Sequence, residues 1–190
     1  MDTQPRYGHF NWIAPLYDRV FTWLDHNALF DHLQVGPGHV VLDIGGGTGR
    51  VAETLAETGA RVIVVDPAPG MLAHARHKNL EAARAVAERL PFAANSIDRI
   101  YIVDAFHHFA DQPAAARELV RVLRPGGRLV IEEPDLRRFA VKLVAVAEKV
   151  ALMQSHFYSP PGLAALFGAA GAQVLGVSAE GFSAHVVLSK

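Results

Sequence analysis

Short apolar runs alternate along the chain with more polar segments that read as helices. His39–Ile44, Arg61–Asp66 and Asp98–Asp104 are apolar through their centres, a pattern typical of strands that are buried on both faces of a parallel sheet. Thr48–Thr58 and Pro67–Lys78 lie between them and are predicted to be helices. Strands that alternate with helices predict an α/β fold, with a parallel sheet covered by helices on both faces.

The second half of the chain continues this alternation and then ends in two strands that are expected to run antiparallel to each other. Pro125-Gly126-Gly127 is expected to stop a helix that starts near Pro113, because proline and glycine favour opposite ends of helices. Two closing strands joined through Gly181 are expected to be antiparallel. The remaining predicted elements are a weak strand at Ala82–Val86, a helix at Pro113–Leu123, a strand at Arg128–Glu132, helices at Arg137–Ser155 and Pro160–Ala170, and strands at Gln173–Ser178 and Ala184–Ser189.

Composition narrows the class of protein. The length of 190 residues suits one domain, and the net charge of −1 lacks the basic footprint that nucleic-acid binding needs. The chain has no cysteine, which excludes disulfides and thiolate metal sites. Its first residues lack the apolar run of a secretory signal, and charges interrupt the apolar stretch Phe139–Met153. We therefore expect a cytoplasmic protein without an integral membrane segment.

A glycine-rich turn follows the first predicted strand. Asp43, Gly45, Gly47 and Gly49 occupy alternate positions, and glycines let a backbone come close to a ligand at the start of the next helix. The same turn also fits a dinucleotide fingerprint, with Asp66 about twenty residues further on. The glycines alone therefore leave two cofactor classes open.

Charge favours one of these two classes. A dinucleotide places its pyrophosphate at the helix N-terminus, where the carboxylate of Asp43 would repel it. S-adenosylmethionine carries a sulfonium and an ammonium, which the same carboxylate attracts. Asp66 suits either ligand, because a carboxylate at the end of the second strand can accept both ribose hydroxyls. The alternative for Asp43 is that it only caps the turn.

Four segments resemble the class I S-adenosylmethionine-dependent methyltransferases, in the order and spacing of that family. VLDIGGGTG is similar to motif I, and Asp66 matches the acidic residue at the end of the second strand. LPFAANSIDRI and RVLRPGGRLVIEEPD resemble the later "LPF" and "RVL(K/R)PGG" segments, so the match covers most of Val40–Asp135. The N-terminal FNWIAPLYDRVF resembles the opening of the ubiquinone/menaquinone-biosynthesis methyltransferases.

The resemblance implies a doubly wound, Rossmann-like fold with a mostly parallel seven-stranded sheet and an antiparallel C-terminal strand. It implies one domain over residues 1–190, with a helical cap at 1–35, a cofactor-binding core at 36–135, and a lid helix with closing strands at 136–190. Val86 occupies a position where many relatives carry an aspartate that binds adenine, so Glu88 or backbone groups would take over that contact. The implied cofactor-binding residues are Tyr17, Asp43, Gly45, Gly47, Thr48, Gly49, Asp66, Pro67, Met71, Ala87, Glu88 and Asp104.

Candidate catalytic residues follow the fourth predicted strand. Asp104, His107 and His108 lie where an α/β sheet binds its ligands, and a histidine is suited to accept a proton near neutral pH. We favour His107 as the residue that faces the pocket; the alternative is that both histidines are packing or capping residues. The candidate acceptor-binding residues are His107, Glu133, His156 and Tyr158, for which a surface or packing role is the alternative. No metal site is expected, because adjacent residues at a strand end rarely point the same way.

These observations predict transfer of a methyl group from S-adenosylmethionine to a small, apolar or aromatic, quinol-like acceptor. Two alternatives remain open: a non-catalytic S-adenosylmethionine-binding domain, and an NAD(P)-dependent oxidoreductase that uses the same glycine turn. A protein acceptor is harder to exclude than a nucleic acid. The apolar stripe of the helix after the fifth strand is compatible with core packing, with the wall of a lipophilic acceptor pocket, or with a homodimer.

Overall fold

The computed structural model describes residues 27–134, 156–180 and 183–190. Within these ranges one sheet contains seven strands, and helices precede or follow most of them. The strands are β1 Val40–Ile44, β2 Arg61–Asp66, β3 Glu81–Arg84, β4 Ile97–Val103, β5 Leu123–Pro134, β6 Gln173–Glu180 and β7 Ser183–Ser189. The helices are α1 Asn27–Leu33, α2 Arg50–Ala56, α3 Pro69–His77, α4 Gln112–Val122 and α5 Pro160–Ala169, with a short 3-10 helix at Phe106–His108.

The sheet has the strand order β3-β2-β1-β4-β5-β7-β6. Neighbouring strands from β3 to β5 are parallel, whereas β7 runs antiparallel to both β5 and β6. The strand order reverses at β1, which lies between β2 and β4, and such a switch point opens a crevice beyond the carboxyl ends of the strands. The predicted fold class is therefore confirmed, including the antiparallel end of the sheet.

Two apolar layers cover the sheet, because successive strand residues point to opposite faces. On the face covered by α1, α2 and α3, Val41 packs with helix residues such as Leu33 and Leu55. On the other face, Leu42 packs with the 3-10 helix, α4 and α5, through residues that include Phe106 and Phe167. We call these the α1 face and the α4 face. Both layers stop at the carboxyl ends of the strands, where buried polar residues replace apolar ones.

Most predicted boundaries differ from the structure by one or two residues, and two of the differences have a cause in the pairing of the backbone. The strand β5 begins at Leu123, before the Pro-Gly-Gly turn that was expected to separate it from α4, because Leu123 already pairs with Ile97 of β4. The pairing shifts in register beyond this point and continues from Arg128. The strand β3 ends at Arg84 rather than Val86, because Val86 turns back to bridge Arg89. The helix predicted at 137–155 lies outside the described residues.

Candidate active site

Acidic side chains from four parallel strands meet at one edge of the sheet. Asp43 and Asp66 lie at the ends of β1 and β2, Asp104 directly follows β4, and Glu133 lies near the end of β5. The carboxyl ends of β1 and β4 flank the switch point, which is where open α/β sheets bind ligands. The sequence-based placement of the candidate site at this edge is consistent with this arrangement.

The glycine turn passes against the segment that follows β4. Gly45 has a φ of +73°, and a Cβ atom placed on it would lie 2.6 Å from the Cβ atom of Ala105. Its amide donates a hydrogen bond of 2.7 Å to the carbonyl of Val65 on β2. Any side chain at position 45 would therefore clash and would also strain the backbone. The turn is held in a compact shape between β2 and the segment after β4.

Asp43 is a buried carboxylate beneath this turn. It is 2% exposed, and a Cβ atom on Gly46 would collide with its carboxyl group. Burial raises the pKa of Asp43 to about 7, and the nearby Tyr101 hydroxyl partly offsets that rise. Neither Asp43 Oδ2 nor the Tyr101 hydroxyl reaches hydrogen-bonding geometry with any described residue. A cation beside Asp43 would therefore be stabilising, because burial disfavours the ionised carboxylate and a nearby positive charge favours it.

Asp66 links the end of β2 to the glycine turn. Its Oδ2 accepts a hydrogen bond of 3.1 Å from the Gly47 amide, and its Oδ1 accepts one of 2.7 Å from the Ala68 amide. Burial raises the pKa of this carboxyl to about 6, and the two backbone hydrogen bonds oppose the rise. A carboxylate oxygen has two lone pairs, so each oxygen retains the capacity to accept a second hydrogen bond.

The residues expected beside adenine lie in the segments that follow β2 and β3. Met71 is buried, and its sulfur lies 3.7 Å from a Cβ atom placed on Gly47. Ala87 is buried, while Glu88 is half-buried and accepts a hydrogen bond of 3.0 Å from the Asp111 amide. One carboxylate oxygen of Glu88 thus joins the loops that follow β3 and β4. The carbonyl of Pro67, directly after β2, accepts a hydrogen bond from the Arg84 side chain at the end of β3.

A buried carboxylate–imidazole pair lies on the α4 face of the edge. His107 Nδ1 is 2.5 Å from Glu133 Oε2, and the other oxygen of Glu133 accepts a hydrogen bond of 2.8 Å from the Phe106 amide. His107 is 3% exposed and its ring stacks on Phe157, with 4.3 Å between ring centroids. A carboxylate at Nδ1 fixes the ring tautomer and orientation, so that Nε2 carries the lone pair that can accept a proton. The pair therefore has the parts of an oriented general base.

The backbone of Asp104 has a left-handed conformation beside this pair. Its φ is +50°, and its amide donates a hydrogen bond of 3.0 Å to the Glu132 carbonyl. Aspartate tolerates such angles better than most residues, and left-handed residues other than glycine cluster in binding sites. Here the hydrogen bond to β5 holds Asp104 at the carboxyl edge.

Comparison with known proteins identifies the family. A model of the methyltransferase domain matches residues 42–131. A demethylmenaquinone methyltransferase of Mycobacterium bovis is 34% identical over 164 residues, which are 82% of this chain and 69% of that enzyme. The chain belongs to the class I S-adenosylmethionine-dependent methyltransferases. Its cofactor is therefore S-adenosylmethionine, and the nicotinamide alternative is set aside.

Other comparisons agree with this assignment. A demethylmenaquinone methyltransferase of Mycobacterium marinum is 36% identical over 142 residues, which are 70% of this chain but only 62% of that enzyme. A solved S-adenosylmethionine-dependent methyltransferase of Thermotoga maritima, described as a possible histamine N-methyltransferase, aligns with a TM-score of 0.81. It is 23% identical, and the alignment covers 97% of this chain and 99% of that one. This likeness shows the fold alone.

The methyltransferase brings together several residues that the sequence singled out separately. The carbonyl of His107 accepts a hydrogen bond of 2.8 Å from the His156 amide, so the backbone of the candidate acceptor segment is tied to the 3-10 helix. His156 and Tyr158 have exposed side chains, and His108 is half-buried with its ring 4.0 Å from that of His107. Tyr17 lies outside the described residues. The individual roles of all these residues remain predictions.

Two contacts at the site were missed by sequence reasoning. Gln112 is buried at the start of α4, and its amide nitrogen donates to the carbonyls of Phe106 and His156 at 3.0 and 2.7 Å. Phe157 stacks on His107. A glutamine before a proline reads as an ordinary helix start, and a single aromatic residue has no periodic pattern. Neither residue therefore carried a local signal.

Two general findings concern the described ranges alone. Among the residues at 27–134, 156–180 and 183–190, no group of three or more histidine, aspartate or glutamate side chains is arranged to hold a metal ion. No helix in that part of the chain is long and apolar enough to cross a membrane.

Proposed function

We propose that this methyltransferase methylates a small, quinol-like aromatic acceptor, and that His107 accepts the acceptor's hydroxyl proton. The buried contact between His107 and Glu133 at the carboxyl edge of the sheet carries this proposal. The curated relatives named demethylmenaquinone methyltransferase support a quinone-type acceptor. The chain spans only 62% of one of these enzymes and 69% of another. The quinol-like acceptor is therefore a proposal for this chain and is not taken directly from the names of its relatives.

The cofactor fits the charges of the crevice. Asp43 faces the glycine turn with a carboxylate oxygen that lacks a hydrogen bond within the described residues, and a cationic methionyl group would stabilise its ionised form. Asp66 retains lone pairs for two ribose hydroxyls. The remaining cofactor contacts would come from Tyr17, Gly45, Gly47, Thr48, Gly49, Pro67, Met71, Ala87, Glu88 and Asp104.

The bound cofactor supplies an electrophilic methyl group, so the protein's task is orientation and proton removal. A quinol hydroxyl that donates to His107 Nε2 would lose its proton as a ring carbon attacks the methyl carbon. The methyl–sulfur bond would break and release S-adenosylhomocysteine, and loss of the ring C–H proton to solvent would then restore the aromatic quinol. Glu133 would stabilise the resulting imidazolium, because its carboxylate already contacts Nδ1. Removing the proton in step with attack prevents charge from building up on the acceptor, which is worth about 10²–10⁴-fold in rate.

Steady-state kinetics with a reduced, short-chain prenyl naphthoquinol test the proposal. His107→Gln should lower kcat by about 10²-fold or more, while the affinity for S-adenosylhomocysteine stays within about twofold. His77→Gln is the matched control, because His77 is exposed on α3, away from the carboxyl edge. Full activity in His107→Gln would remove His107 as the base. Tight cofactor binding without methylation of any acceptor would favour the non-catalytic alternative.

A further inference from the structure

A second polar group crosses three strands on the α1 face of the same edge. Ser178 of β6 lies directly opposite His185 of β7, and His185 lies directly opposite Glu132 of β5. Residues directly opposite each other in an antiparallel pair project to the same face of the sheet. Glu132 lies two residues after Val130 on β5, so the two side chains point to the same face. Val130 belongs to the apolar layer of the α1 face, which places the polar row on that face. We call Ser178, His185 and Glu132 the polar row.

His185 and Glu132 are buried and Ser178 is half-buried, and two polar atoms of the row lack a hydrogen bond within the described part of the chain. His185 is 4% exposed, and its Nε2 lies 3.4 Å from Glu132 Oε2. His185 Nδ1 and Ser178 Oγ are both buried, and neither makes a hydrogen bond with any described residue. With Nε2–H directed at the carboxylate, Nδ1 carries a lone pair and requires a donor. Buried polar atoms without partners are rare in native proteins, and each calls for an explanation such as a functional role or a bound molecule.

The polar row mirrors the pair that includes His107. Consecutive residues of β5 point to opposite faces, so Glu132 holds His185 on the α1 face while Glu133 holds His107 on the α4 face. Asp104 stands beside them, since its amide donates to the Glu132 carbonyl. The end of β5 thus carries one carboxylate–imidazole pair on each face.

We propose that His185 is a second acceptor-binding residue, which accepts a hydrogen bond at Nδ1 from a second hydroxyl of the methyl acceptor. Ser178 Oγ would donate to the same oxygen. This inference rests on the proposed function and deepens it, because it assigns the binding of the quinol's second hydroxyl to the polar row.

The burial of the polar row suits such a contact. Nδ1 and Oγ are shielded from water, so the hydroxyl that reaches them enters an environment of low dielectric, where a hydrogen bond is electrostatically stronger. Glu132 would hold the imidazole ring of His185 in the same orientation in the free and the acceptor-bound protein. An acceptor without the second hydroxyl would leave Nδ1 without a hydrogen bond, so the polar row would add nothing to its affinity.

A comparison of two acceptors tests the proposal. The probes are a 1,4-dihydroxynaphthalene with a short prenyl chain and the same compound with one hydroxyl replaced by hydrogen. In the unaltered enzyme, kcat/KM should favour the dihydroxy compound by roughly tenfold, the effect of one buried hydrogen bond. His185→Gln should abolish this preference, chiefly through KM, and Ser178→Ala should reduce it. His77→Gln should leave the preference unchanged. Equal losses for both acceptors in His185→Gln would assign His185 a structural role and overturn the proposal.

Nitrogen NMR of the His185 ring provides a readout that does not depend on turnover. With S-adenosylhomocysteine present, the dihydroxy compound should shift the Nδ1 resonance, and the monohydroxy compound should not. If a saturating concentration of the dihydroxy compound left the Nδ1 resonance unshifted, the proposal would be overturned. A shift without methylation of either compound would support the binding role of His185, while showing that the proposed function itself had failed.

Discussion

Lowering the pH from 7 to 5 should weaken cofactor binding through Asp43. Burial raises the pKa of this carboxyl to about 7 in the free protein, so at pH 5 the group is protonated and neutral. The positively charged methionyl group of the cofactor favours the ionised carboxylate. Binding at low pH therefore requires Asp43 to release its proton, and that release opposes binding.

The size of the effect follows from the pKa. Each pH unit below the pKa of the free protein costs about 1.4 kcal/mol, a factor of about ten in affinity, until the pKa of the bound state is reached. Because half of the free protein is already protonated at pH 7, the Kd should rise about fivefold between pH 7 and pH 6 and nearly tenfold more between pH 6 and pH 5. Asp66, with its pKa raised to about 6, adds to the slope in the lower part of this range if it binds the ribose in ionised form.

Isothermal titration calorimetry with S-adenosylmethionine, in the absence of an acceptor, measures both the Kd and the number of protons released on binding. At pH 6, titrations in buffers of different ionisation enthalpy should reveal the release of close to one proton. Asp43→Asn should bind more weakly at pH 7 and lose the part of the slope between pH 7 and 6, whereas Glu57→Gln, at an exposed position after α2, should behave like the unaltered protein. A Kd that is constant from pH 7 to 5, or a full slope in Asp43→Asn, would refute the placement of Asp43 beside the cofactor's charge.

Two further substitutions test the crevice. Gly45→Ala should lower the free energy of unfolding by about 2–4 kcal/mol in urea titrations, because the added methyl group meets Ala105 and the backbone keeps a positive φ. Gly126→Ala also has a positive φ but open space around it, so it should cost only about 1–2 kcal/mol; equal losses would mean that the contact with Ala105 is unimportant. Asp66→Ala should weaken S-adenosylhomocysteine binding by roughly 100-fold through two lost hydrogen bonds to a charged group, measured by calorimetry. An unchanged Kd would place the ribose elsewhere.

Local patterns were sufficient to predict most of the fold. The strand at Arg61–Asp66 has the predicted bounds. Its four central residues are all β-branched and favour a strand, and the proline that follows Asp66 ends it. Acidic residues at strand ends also predicted the carboxyl edge as the candidate site. The start of β5 at Leu123 was not predictable in this way, since it depends on pairing with Ile97 across the sheet.

The site contacts depended on pairings that are distant in sequence. Glu132 and His185 meet only because β7 inserts between β5 and β6, and the sequence does not reveal which residues of those strands stand opposite each other. The choice between His107 and His108 likewise depended on Glu133, which lies 26 residues further along the chain than His107. Spacing along the chain indicates the edge of the sheet, but not which side chains pair there.

Methyl transfer itself is the most direct test of the proposed function. The purified protein should be incubated with S-adenosylmethionine and a reduced prenyl naphthoquinol, and both S-adenosylhomocysteine and the methylated ring should be quantified by mass spectrometry. We predict saturable, equimolar formation of the two products, at a rate that His107→Gln lowers by about 10²-fold or more. Saturable cofactor binding without a methylated product, across quinols, phenols and amines, would contradict the proposal.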